Sequence, residues 1–259
     1  MPRFAANLSL LFTERSLLDR FAAARAAGFA AVEMQFPYAE TKQALAARLG
    51  EAGLPLVLHN LPPGDWAAGE RGIAILPERV PEFREGVGRA IDYAGALGCR
   101  QINCLAGLAP AGTEPARLRA TLIENLAYAA AALKAAGIRL LIEPINDRDM
   151  PGFFLNRLAD AAAVIEAVGS DNLFIQADLY HMAMMGEDLL AGLAAHRSRI
   201  AHVQIADAPG RHEPGTGRID CATVLKALDE AGYDGFVGCE YLPAAGTEAG
   251  LGWMAAYRA

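Results

Sequence analysis

The apolar and polar positions of this chain fall into a repeating unit of three parts. A short run is apolar on both faces, a longer stretch follows with apolar residues at helical spacing, and a glycine closes it. Runs apolar on both faces suit parallel strands with one side against a barrel interior and the other under helices. The pattern predicts strands at 4–11, 31–36, 54–60, 100–107, 138–146, 172–178, 200–206 and 235–241. Between them it predicts helices: one capped by Ser16 and running to Ala27 before Gly28, one over 41–52 before Gly53, one over 80–97 before Gly98, and one from Thr113 to Gly137. Cap residues before a helix and glycines after it answer the unpaired groups at helix ends. Further helices follow over 157–168, in an Ala- and Met-rich stretch before 200, over 221–231, and after Thr247.

About eight strands alternating with crossover helices predict an α/β fold, a single (β/α)8 TIM barrel forming one domain over 1–259. An open doubly wound sheet would carry a glycine fingerprint in its first strand-to-helix turn. That turn reads SLLFTERS, with no GxGxxG and no GxxxxGK[ST]. Two irregular stretches interrupt the unit: 61–77, containing PPGDWAAGERG, and NDRDMPGFF after the fifth strand. The first is too long and glycine-rich for a plain connection and is expected to lie over the strand ends as a functional loop.

Composition narrows the picture. The length of 259 residues matches the typical barrel of about 250. With 53% hydrophobic and 20% charged residues and no polar low-complexity run, disorder is excluded. A formal net charge of −7 argues against a nucleic-acid groove, and any anionic substrate must be held by local cations. No apolar run approaches the about 18 residues that span a membrane, and the N-terminus does not fit a signal peptide, so a cytoplasmic location is the expectation. Self-association into a homo-oligomer stays open. Cys99, Cys104, Cys221 and Cys239 show no CxxC spacing and read as buried free thiols.

The candidate chemistry sits at strand ends. The run LLIEP delivers Glu143, FIQAD delivers Asp178, HVQIA delivers Gln204 and VGCEY delivers Glu240. Each alone reads equally well as a surface group or a cap. Four oxygen-bearing side chains on strands five to eight of a barrel converge on one face, where active sites of this architecture lie. Oxygen donors suit a hard divalent cation, Mg²⁺ or Mn²⁺, over zinc.

His181, three residues after Asp178, is a candidate ligand, orienter or substrate hydrogen-bonder, or else a structural histidine. His202 shares a face with Gln204, one layer deeper, and is expected to support it. Arg211 and His212 lie on the loop after strand seven, placed to neutralise a substrate carboxylate, and His59 at the end of strand three is a candidate of the same kind. No nucleophile elbow GxSxG occurs, and Lys42, Lys134 and Lys226 belong to helices, which disfavours covalent serine and Schiff-base chemistry.

The stretches NLPPGDWAAGERGIA, INCLAGLAPAG, LLIEPIN, DLYHM, QIADAPGRHEPGTG and GCEY resemble the hydroxypyruvate isomerase family, within the xylose-isomerase-like barrels. The resemblance spans nearly the whole chain. It implies a divalent metal held by Glu143, Asp178, Gln204 and Glu240, catalytic roles for Glu143 and Glu240, and a small hydroxy-oxo acid as substrate. The implied reaction interconverts hydroxypyruvate and tartronate semialdehyde through an enediolate. Relatives that isomerise 2-oxo-tetronates share the pattern, and a sugar epimerase or a sugar-acid dehydratase could use the same first proton abstraction. The related AP-endonuclease barrels bind several zincs through many histidines, and five histidines are too few.

Overall fold

The computed structural model describes residues 2–257. Its strands are β1 (Arg3–Asn7), β2 (Ala31–Glu33), β3 (His59–Asn60), β4 (Gln101–Cys104), β5 (Arg139–Ile142), β6 (Leu173–Asp178), β7 (Ile200–Ile205) and β8 (Phe236–Cys239). All are parallel, in the order β2-β1-β8-β7-β6-β5-β4-β3. The two ends of that order meet. Val57 N donates to Val32 O at 2.9 Å, Met34 N to Leu58 O at 3.1 Å and Asn60 N to Gln35 O at 2.8 Å, which closes a TIM barrel.

The surrounding helices are α1 (Leu17–Ala26), α2 (Lys42–Ala52), α3 (Val80–Leu97), α4 (Pro115–Ala135), α5 (Leu158–Val168), α6 (Leu179–Met184), α7 (Leu189–His196) and α8 (Cys221–Glu230). Their ends follow local chemistry. Pro81 in the first turn of α3 gives up only an N–H that has no helical partner, and Gly98 at φ 68° takes the left-handed position that ends the helix. Thr41 accepts from Ala44 N to cap α2, and Asp220 accepts from Thr223 N to cap α8.

Three expected elements come out differently. The strand over 54–60 pairs with β4 at His59 and Asn60, while Pro55, Val57 and Leu58 bond on the β2 side to Val32 and Met34, Pro55 taking part only as an acceptor because it has no N–H to donate. The Ala- and Met-rich helix divides into α6 and α7 at Gly186, φ 69°, after which the Asp188 side chain caps α7 by accepting from Ala191 N. The stretch after Thr247 is a 3-10 run, Glu248–Tyr257, which holds two glycines that disfavour an α-helix. Thr247 instead accepts from Phe12 N at 2.6 Å and ties that run to the first strand-to-helix turn.

The main core lies between strands and helices, and a smaller cluster of Leu58, Leu141 and Ala201 packs apart from it. All four cysteines are buried free thiols. The loop after β3 folds over the barrel rim, with Trp66 packed on Phe36 at 5.0 Å between ring centroids and Arg71 stacked on Trp66 at 4.0 Å. Gly72, at φ 110°, lets this loop run against the backbone of Leu105, where a Cβ would collide.

Candidate active site

Strand register sets the height of each polar side chain at the rim. Asp178 on β6 is opposite Gln204 on β7, and Gln204 is opposite Gly238 on β8. Glu240, two residues past Gly238, therefore faces the same way, since side chains alternate along a strand. Glu143 directly follows β5. All three carboxylates are at most 4% exposed.

Ligand atoms of Glu143, Asp178 and His181 lie within 4.8 Å of one another, a buried set that could hold a metal ion. Glu143 Oε2 accepts from Asn103 Nδ2 at 2.9 Å, and Glu240 Oε1 accepts from Gln35 Nε2 at 2.7 Å. Arg211 reaches between the acids, with Nη2 3.5 Å from Asp178 Oδ2 and 3.3 Å from Glu240 Oε1. Its guanidinium lies 5.1 Å from the centroid of the Tyr180 ring. Asp178 stands just behind the lining of a cavity of about 30 Å³, which Glu143, His181, Arg211 and Glu240 border with Asn7, Phe36, Asn60 and Trp66 among others. That holds an ion or a water, and anything larger requires side chains of the rim to move.

Like charges out of water shift these groups. Burial, then the negative charges of Glu240 and Asp178, raise Glu143 well above the usual carboxylate range, with Arg211 and Asn103 opposing. Burial pushes Glu240 up to about 7 against the pull of Arg211, and burial raises Asp178. Burial, aided by Arg211, lowers His181 well below its ordinary value, so its ring is neutral.

The tautomer of that ring follows from its neighbour. Asn146 Oδ1 accepts from the backbone N–H of Arg148 at 3.0 Å and of Asp149 at 2.9 Å, which turns the Asn146 amide nitrogen toward His181 Nδ1 at 2.6 Å. Nδ1 is then an acceptor and the proton sits on Nε2. Nε2–H points at Asp178 Oδ2, 3.6 Å away, and at Glu143 Oε1, 3.8 Å away. In this tautomer His181 is a hydrogen-bond donor over the cavity.

Gln204 stands level with Asp178 at the floor of the cavity and is held from below. Its Oε1 accepts from Gln176 Nε2 at 2.6 Å and its Nε2 donates to Glu33 Oε1 at 2.7 Å. Glu33 is fully buried and also accepts from His202 Nε2 at 2.7 Å and Asn7 Nδ2 at 3.0 Å. A Cβ at Gly238 would collide with this carboxylate, so β8 supplies a glycine where the lumen is fullest. His202 thus reaches Gln204 through Glu33. Glu33, Gln35, Asn103, Asn146 and Gln176 were not singled out from the sequence. A charged residue inside the apolar run AVEMQF was the available signal for Glu33.

The remaining candidates lie elsewhere. His59 is buried but does not line the cavity, whereas its neighbours Leu58 and Asn60 do. Its Nδ1 lies 3.1 Å from Asn60 O, and burial lowers its pKa to about 4. His212 Nδ1 donates to Leu242 O at 2.7 Å and holds the loop that carries Arg211. Arg211 itself adopts φ 54°, a left-handed conformation that costs a non-glycine residue about 1–2 kcal/mol. The loop is braced by buried Asp207, whose carboxylate accepts from the N–H groups of Ala208, Ile219, Gly215 and Gly217 at 2.8–2.9 Å.

The donor chemistry fits a divalent cation. Asp178 Oδ2 is buried without a hydrogen-bond partner, as are Asn103 Oδ1, Gln176 Oε1 and Arg211 Nε around it. Unsatisfied oxygens of this kind cost free energy unless something cationic or polar meets them.

Residues 21–257 match the family model of xylose isomerase-like TIM barrels. A 2-oxo-tetronate isomerase of Cupriavidus necator is 52% identical over 99% of both chains. Hydroxypyruvate isomerase of Escherichia coli K12 is 51% identical over the full length of both. A solved structure from Brucella melitensis titled AP endonuclease, family 2, superposes with a TM-score of 0.97 at 44% identity, covering all of both chains.

Proposed function

This chain belongs to the xylose isomerase-like TIM barrel family and is an isomerase, and from that premise we propose that it interconverts hydroxypyruvate and tartronate semialdehyde with the help of a divalent metal. The observation that carries the reading is the meeting of Glu143, Asp178 and Glu240 with one neutral imidazole and one guanidinium in a closed space.

Glu143, Asp178 and Glu240 would hold the cation, with the Gln204 carbonyl, which keeps a lone pair beside its bond to Gln176, completing an oxygen-rich set. The cation, Mg²⁺ before Mn²⁺, supplies a fixed positive charge that stabilises negative charge developing on two adjacent substrate oxygens. Moving a carbonyl to the neighbouring carbon removes a proton from one carbon and delivers it to the next. Glu143 and Glu240 are the carboxylates placed to share that work, each through the oxygen that the cation leaves free. Arg211 pairs with the substrate carboxylate, which takes over from Glu240 and Asp178 as its partner. The Nε2–H of His181 donates to a substrate oxygen. Trp66, Phe36, Leu105 and Met150 close the cavity from the loop side and exclude water from the reactive enediolate.

The tight cavity favours a three- or four-carbon acid over a hexose. The 52% identity to a 2-oxo-tetronate isomerase supports a four-carbon substrate as the second reading. Turnover of hydroxypyruvate and of four-carbon 2-oxo acids, each with Mg²⁺ and with chelator, separates the two. The expected result is turnover of hydroxypyruvate that chelator abolishes. Glu240→Gln is expected to fold normally and to lose solvent deuterium exchange at the reacting carbon. Normal exchange in that variant would refute the role given to Glu240.

A further inference from the structure

The strand-start end of the barrel, away from the acidic cluster, holds a second cavity of about 600 Å³. Organic ligands commonly occupy about 300–1,000 Å³. Leu56, Leu193, Leu228 and Phe236 give it apolar walls. Four guanidinium groups border it, from Arg3 on β1, Arg100 before β4, Arg139 on β5 and Arg197 after α7, and Asp234 is the one carboxylate-bearing residue among its described lining. Among the described residues none of the four arginines forms an ion pair with a carboxylate. Arg3 donates to the carbonyl of Asp234 and lies 4.4 Å over the Phe236 ring. Arg139 stands 5.9 Å from the centroid of Phe174. Arg199, two residues from Arg197, does pair, with Glu166 at 2.8 Å. In a chain of net charge −7, four unpaired arginines around an apolar hollow reverse the charge of the molecule locally.

We propose that this cavity is a binding site for a small organic phosphate with a flat apolar body of nucleotide size. Guanidinium groups match phosphate oxygens with paired N–H donors, and arginine is the side chain suited to such recognition. The leucine and phenylalanine walls take the body, whose burial contributes roughly 25 cal/mol for each Å² removed from water. A second copy of this chain is a poorer occupant, because a two-fold contact through this face sets arginines against arginines. The site is built from residues apart from the isomerase cavity and does not depend on the substrate assigned there.

The test is calorimetric titration of the full chain with ADP, with adenosine and pyrophosphate as its two halves, in chelator so that no cation bridges the nucleotide to the acidic cluster. ADP is expected to saturate one site, to weaken with added salt, and to bind about tenfold or more tighter than either half. Arg100→Ser combined with Arg197→Ser is expected to weaken ADP at least about tenfold. Ala194→Phe, which keeps every charge and fills the apolar part, is expected to do the same. Circular dichroism and thermal midpoints matching the parent show that the variants are folded. Pyrophosphate binding as tightly as ADP, no ADP binding at millimolar concentration, or ADP binding that survives both variants overturns the proposal. Light scattering that shows self-association lost in the arginine variants overturns it in favour of a subunit contact. Since the readout is binding, its failure leaves hydroxypyruvate turnover untouched and is separate from failure of the isomerase reading.

Discussion

The two ends of this barrel are opposites in charge and in packing. At the strand C-termini, buried carboxylates crowd into a space of about 30 Å³ with Arg211 between them. At the strand N-termini, unpaired arginines ring an apolar hollow of about 600 Å³. The same eight strands build both, so the contrast comes from which residues stand at the strand ends and from the layer between. That layer is Glu33 with His202, roofed by Asn7, Gln204 and Gln176, which also form the floor of the small cavity, and it is hydrogen-bonded almost throughout. A carboxylate fixed by three donors can sit beneath other carboxylates without competing for their cation. The crowded end is costly to the fold and suited to chemistry, whereas the open end costs little and is free to bind.

The largest expected effect lies at the crowded end. Glu143→Gln removes a proton carrier, and turnover should fall by roughly 10²–10⁴, about 3–5 kcal/mol of barrier, with the circular dichroism spectrum unchanged. A residual rate near the parent would show that the acidic cluster is not where the chemistry happens. Next comes the packed layer. Gly238→Ala drives a methyl into the Glu33 carboxylate and should destabilise the fold by about 3 kcal/mol in urea titration. Little change would show that the lumen can relax and that the two ends are less separated than the packing implies.

A smaller effect is expected from pH. Glu143 is raised well above its ordinary value and Glu240 to about 7, so the folded protein keeps protons that the unfolded chain releases above about 4.5. Buried neutral His59 and His181 oppose this below about 6.5, so in chelator the thermal midpoint should fall as pH rises from about 6.5 to 8, and added Mg²⁺ should restore more of it at pH 8 than at pH 5. A midpoint that climbs over that range in chelator contradicts the burial assigned to these acids. The smallest effect is at the open end. Arg139→Ser should change stability by less than about 0.5 kcal/mol and leave turnover alone, because among the described residues that arginine has no carboxylate partner to lose.

Much of the crowded end was legible in the sequence, for a definite reason. Glu143, Asp178, Gln204 and Glu240 each interrupt an apolar run at its end, and in a closed barrel those ends share one face. Helix α3 was legible to the residue because Pro81 and Gly98 mark its ends chemically. Gln204 stands opposite Asp178 and lines the cavity as its strand-end position suggests, but its bonds to Gln176 and Glu33 were not legible, because they depend on which neighbours the closed barrel brings beside it. His59 looks like a rim residue by position, yet Leu58 and Asn60 line the cavity and alternation turns His59 away. The arginine ring was not legible at all: Arg3, Arg100, Arg139 and Arg197 are scattered through the chain, and only closure of the barrel brings strand starts together.

The bracing of the 207–219 loop bears on how this enzyme refills. Four main-chain amides are pinned to one carboxylate at its base, so the segment travels as a single stiff hook. Whatever acid enters the pocket then draws Arg211 off Asp178 and Glu240 by a swivel about its χ bonds while the backbone beneath it stays in place.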